Sequence, residues 1–158
     1  MRDPVKVFAL LTALEARAEL FAALSDPHHG LWFDFSEVRP YIRELNLFRV
    51  RQMTPVLFAA WEQWMPDNPA NFVSILRMVS VISFRYTVVS ALNPNGLEPV
   101  YHEAAKAIIS HQAKTPATVF ELLRPIYVSD HKFEHDFATL AISMNGQRKK
   151  LVKYTLLM

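Results

Sequence analysis

The chain has 158 residues and no cysteine. That excludes disulfides and thiolate metal sites, and it fits a cytoplasmic protein. Glycine is scarce, with 3 residues against 10 prolines, which argues against a turn-rich β fold and for helices. No Gly-rich phosphate loop, no G-x-S-x-G elbow and no Cys–His pair occurs, so the common signatures of nucleotide binding and nucleophilic hydrolysis are missing. Charge of one sign is not in excess: 17 Lys and Arg face 15 Asp and Glu, a net +2, too little by itself to argue for nucleic acid. There is no repeat at a fixed period and no low-complexity stretch. What is present is a core's worth of apolar residues, 51% hydrophobic and 12% aromatic, in a length that suits one domain over 1–158.

Two apolar stretches imitate membrane signals. Arg2 followed by Val7–Leu14 resembles a leader, but Asp3 and Pro4 interrupt the basic start, and Glu15, Arg17 and Glu19 continue the same helix. Phe72–Leu92 has the length of a span, yet Arg77 and Arg85 lie inside it. Charges within a bilayer are costly, so a buried helix of a soluble bundle is expected and no membrane partner.

Helix starts are marked by a capping residue followed by proline, at Asp3-Pro4, Thr54-Pro55, Asn68-Pro69 and Thr115-Pro116, with Ser36 and Ser129 or Asp130 as further caps. The first helix is expected over about 4–25, with Phe8, Leu11, Leu14, Ala18 and Phe21 on one face. The second, about 36–48, buries Val38, Tyr41, Ile42 and Leu45; a third covers about 55–65. The fourth, about 69–91, is apolar on nearly every side and belongs at the centre. Asn93-Pro94-Asn95-Gly96 stops it. A fifth follows over about 97–113 and a sixth over about 116–124. The seventh, about 130–143, buries Phe133, Phe137, Leu140 and Ala141, and Asn145-Gly146 breaks it before an eighth begins near Gln147. The expected fold is all-α: an irregular bundle of seven or eight helices with one central buried helix. The apolar run Tyr154–Met158 ends without a stop signal, which suggests a fragment of a longer multidomain protein.

Few constellations carry chemistry. His131-Lys132-Phe133-Glu134-His135 matches H-x-x-E-H, which in inverted zinc peptidases holds zinc on two histidines one turn apart. A third ligand is needed from well downstream, and after Asp136, next to His135, no residue is Glu, Asp or His; two solvated histidines are the expected reading, with no metal or cofactor. His28-His29 reads as a polar turn after Asp26-Pro27. Trp32, Phe33 and Phe35 read as a loop folded onto the core rather than a ligand face. Arg77 and Arg85 are either a buried anion site or, the favoured reading, structural ties to carboxylates such as Glu98 or Glu103. Arg148, Lys149, Lys150 and Lys153 form the one basic cluster, either a nucleic-acid phosphate contact or a solvated helix face.

The second half carries a resemblance. Phe84-Arg85-Tyr86, Asn93-Pro94-Asn95-Gly96-Leu97-Glu98, Tyr101 and Ala104-Ala105 form one part of it. Ser129-Asp130, Phe133, Phe137, Lys149–Tyr154 and Leu156 form the other, with Gln52 and Pro55-Val56-Leu57 upstream in the same order. Over roughly residues 50–158 the chain resembles the helical middle region of the GmrSD-like restriction family. The resemblance implies a bacterial parent protein with a ParB-like nucleotide-hydrolysing domain before this region and an HNH nuclease domain after it, acting against phage DNA. No active-site residue carries over. Asn145-Gly146-Gln147-Arg148 is only superficially like the family's D-G-Q-Q-R segment, and Glu134-His135 lies too early for the nuclease histidine motif. The implied role is a non-catalytic connector, not itself an enzyme, with the flanking domains, DNA and a second copy of itself as partners. The alternative is a free-standing helical adaptor binding a protein partner through exposed aromatics.

Overall fold

A computed structural model describes residues 4–65, 67–140 and 148–157. The described chain contains eight α-helices, short 3-10 turns and no strand, so the fold is an all-α bundle. It divides into two compact units, Met1–Arg43 and Glu44–Met158.

The first unit is built on α1 (Pro4–Ser25). Its predicted length holds, but its predicted apolar face does not turn inward. Phe8, Leu11, Leu14, Ala18 and Phe21 are all exposed, and the buried residues are Leu20, Ala23 and Leu24 near the C-terminal end. Within its unit α1 packs on the 3-10 turn Gly30–Trp32, which meets its C-terminal end. Trp32 is fully buried, and its indole N–H donates to the Ala23 carbonyl at 2.8 Å. The turn between them is polar. Asp26 Oδ1 accepts from the His28 amide, and His29 Nδ1 accepts from the Leu31 amide. Of the aromatic trio, only Trp32 joins the core; Phe33 is exposed and Phe35 half-buried. A second 3-10 turn, Ser36–Val38, leads into α2 (Arg39–Phe48).

In the second unit α3 (Thr54–Trp64) packs most extensively on α5 (Leu97–Ile109). Small residues on both helices, Ala59 and Ala60 on α3 and Ala104, Ala105 and Ala107 on α5, are buried. α4 (Pro69–Ser83) is the central helix, with Phe72, Ile75, Leu76, Val79 and Ile82 fully buried among α3 and α6 (Pro116–Leu123). With its continuation to Val89 it is long and apolar enough to cross a membrane, and half of that stretch is buried inside the protein. The continuation, Phe84–Val89, is π-helical, its end marked by the Ser90 amide donating to the Arg85 carbonyl.

Local signals decide the ends unevenly. Thr115 makes a reciprocal capping box with Thr118, and Ser129 accepts from the Lys132 amide. Thr54 is not a cap: it lies inside α3, and its hydroxyl donates to the Arg51 carbonyl. Asn68 sits at the cap position of α4 without a side-chain bond. α5 stops at Ile109 rather than near 113, because His111 turns left-handed (φ 58°). The Gln112 amide then bonds the Ala107 carbonyl and the His111 amide bonds the Ile108 carbonyl, a Schellman closure without glycine. α7 (Asp130–Ala138) is shorter than expected and has no fully buried residue; Phe137 is exposed. Ala141 and Asn145-Gly146 lie outside the described residues. α8 (Arg148–Leu156) is the last element.

Candidate nucleic-acid interface

α8 is held by one aromatic residue. Tyr154 meets Phe48 and Phe84 edge-on, with ring centres 5.5 and 5.7 Å away, and Phe48 and Phe84 meet at 5.6 Å. Burial, and secondarily the negative charge and hydrogen bond of Glu44, push the Tyr154 phenol well above its ordinary value. Glu44 also accepts from the Ser80 hydroxyl on the central helix, so one carboxylate joins α2, α4 and α8. Leu151 and Val152 are half-buried.

With Tyr154 turned inward, Lys150 and Lys153, one turn apart, are exposed. Arg148 and Lys149 open the helix, and their side chains lie outside the described residues. Two cations that sequence reasoning passed over, Arg49 and Arg51, are exposed in the loop that follows Phe48, so they flank the residue on which Tyr154 rests. The available signal was their closeness to Phe48 in sequence; what was missing was the long-range contact of Phe48 with Tyr154. Exposed positive charges of this kind are suited to phosphate contacts.

The other sequence candidates do not converge on a site. His131, Glu134 and His135 are exposed on α7, and among the described residues no group of three His, Cys, Asp or Glu is placed to hold a metal. Lys132, between the histidines, donates to Asp136 at 2.7 Å, and this bond holds the Asp136 carboxyl below its ordinary value. Arg77 is exposed. Arg85 is a structural tie, as favoured, but its carboxylate is neither Glu98 nor Glu103. It donates to the Val128 carbonyl at 2.9 Å and to Asp130 at 2.6 Å, and its guanidinium lies over the rings of Tyr127 and Phe133 at 4.7 and 4.6 Å. Glu103 accepts from Lys106 instead. A groove of about 310 Å³ is lined by Gln63, Trp64, His111, Ala113 and Lys114; it holds no nucleophile–base pair.

Fold and site together define an all-α bundle with a basic helix pinned to its surface. No protein-family model, curated protein or solved structure matches the chain.

Proposed function

We propose that the chain is a non-catalytic helical connector of a DNA-targeting restriction protein, as its resemblance to the GmrSD-like family implies. It links and orients enzymatic domains, contributes phosphate contacts through its last helix, and associates with a second copy. The observation that supports this reading is the seating of α8: Tyr154 is fixed on Phe48 and Phe84 while Lys150 and Lys153 stay free for a polyanion. DNA affinity is then weak, sequence-independent and salt-sensitive. Four phosphate contacts give a slope of log affinity against log salt of roughly −3 to −4, because each neutralised phosphate releases most of one counterion. The test is a titration of duplex DNA at several salt concentrations with wild type and a variant carrying Ala at Arg148, Lys149, Lys150 and Lys153. Loss of binding in the variant supports the reading, and binding that survives the substitutions or ignores salt removes α8 from it. Adjacent ParB-like and HNH segments in the parent reading frame would support the connector role, and a reading frame without them would favour the adaptor.

A further inference from the structure

Every residue of α1 from Pro4 to Glu19 is exposed. Val7 is 41% exposed, Leu11 49%, Leu14 53% and Phe21 54%, with Phe8 at 70% and Leu10 at 60% beside them. Together these side chains present on the order of 600 Å² of apolar area, at the upper end of what a monomer's largest patch shows. Within the patch Val7, Leu11, Leu14, Ala18 and Phe21 follow one another in steps of four and three residues. That is a period of 3.5, the spacing that keeps a seam aligned on a partner helix. The charged residues of α1, Lys6, Glu15, Arg17 and Glu19, all fall outside this seam, with Glu15 and Arg17 along its edges, so the seam itself carries no charge.

The seam fits a copy of itself in one direction. Parallel copies would set Ala18 on Ala18, leaving a hole, and Phe21 on Phe21, overfilling a layer. Antiparallel copies set Val7 on Ala18 and Leu11 on Leu14, and carry Phe21 over the partner's Pro4, so the layers are more even in volume than in the parallel pair. The helix dipoles then also oppose each other favourably. We propose that α1 is a homodimerisation helix, pairing antiparallel with α1 of a second copy along Val7, Leu11, Leu14, Ala18 and Phe21. With Phe8 and Leu10 included, two copies would bury at most about 1,200 Å², the lower edge of a stable interface and compatible with micromolar dissociation. The proposal deepens the self-association in the connector reading and does not depend on the DNA contacts of α8.

The absence of cysteine makes the geometry directly testable in the full chain. Sedimentation across about 1–100 μM should show a monomer–dimer equilibrium, the range set by a micromolar constant. Leu11→Asp combined with Leu14→Asp should leave only monomer with unchanged circular dichroism, since both positions are exposed in the single copy. Mixing Val7→Cys with Ala18→Cys chains under a mild oxidant should give the mixed disulfide about tenfold faster than either self-disulfide, a bias expected from the antiparallel layer. Monomer at every concentration overturns the proposal. So does dominant Ala18→Cys self-crosslinking, which marks a parallel pair, and so does binding of monomeric wild type to zwitterionic lipid vesicles that the double Asp variant lacks. DNA affinity measured on the same double variant reports separately on α8.

Discussion

Replacing Arg85 by Met tests what ties the π-helical end of α4 to α7. The guanidinium makes three kinds of contact. Its charge-assisted bond to the Val128 carbonyl is worth about 1.5–3 kcal/mol, since Val128 is buried and its oxygen would lose that partner. The positions over Tyr127 and Phe133 add about 0.5–1 kcal/mol each. The ion pair with Asp130 adds little: the Asp130 side chain is 76% exposed against 17% for Arg85, and such pairs contribute about 0–1 kcal/mol. Methionine keeps much of the apolar stem, so the expected net loss is about 2–4 kcal/mol, a large share of a domain stability of about 5–15 kcal/mol. With a urea slope of about 2 kcal/mol/M, the unfolding midpoint falls by about 1–2 M. Arg85→Lys should lose at least half as much, because an ammonium cannot lie flat between two rings while reaching two acceptors. Asp130→Asn should cost under about 1 kcal/mol. Urea titrations followed by circular dichroism decide it. A Met variant within about 0.5 kcal/mol of wild type would refute the reasoning, and an Asn variant as damaging as Met would transfer the tie to the ion pair.

Two further outcomes are expected. Val79 is fully buried on the central helix, so Val79→Asp places an unpaired charge in the core at a cost of several kcal/mol, comparable to the total stability; unchanged thermal stability would mean that this face is not a core. The Tyr154 phenol is held above its ordinary value of 10.0 by burial and then by Glu44. A raised folded value means its contribution is complete below pH 10.0 and declines as the pH rises above it, because the unfolded phenol ionises first. Tyr154→Phe should flatten the part of the alkaline stability loss that this phenol causes, read from unfolding curves in alkaline buffers, and identical pH profiles would remove the Glu44 contact from the account.

The parts of the fold legible in the sequence were those governed by neighbours along the chain. Thr115-Pro116 and Ser129 announce helix starts because a cap acts within three residues. The all-round apolar character of 69–91 announces a central helix because no other position hides every side. The face of α1 misled, since amphipathic spacing marks an apolar face but not whether the same chain covers it. Arg85 was recognisable as a tie, yet Asp130 is 45 residues away and no local pattern selects it over Glu98 or Glu103. The candidate interface divides in the same way. Lys150 and Lys153 stand out as a cluster, whereas no local pattern ties Phe48, which Arg49 and Arg51 follow, to Tyr154.

The π-helical stretch at Phe84–Val89 has a consequence for the family of sequences that can share this fold. Such a stretch holds one residue more than an α-helix would carry over the same path, and each α-helical residue turns the chain by about 100°. It therefore acts as a phase correction. Upstream, the 3.6-residue rhythm serves Phe72, Ile75, Val79 and Ile82; downstream, the chain re-enters the bundle rotated, with Gly96 close enough to Tyr86 that an added methyl would meet its hydroxyl at 2.5 Å. A single-residue deletion here is thus not equivalent to one in a surface loop: it would leave the helix intact and misaim everything that follows. Homologous sequences should accordingly conserve length across this stretch more strictly than identity.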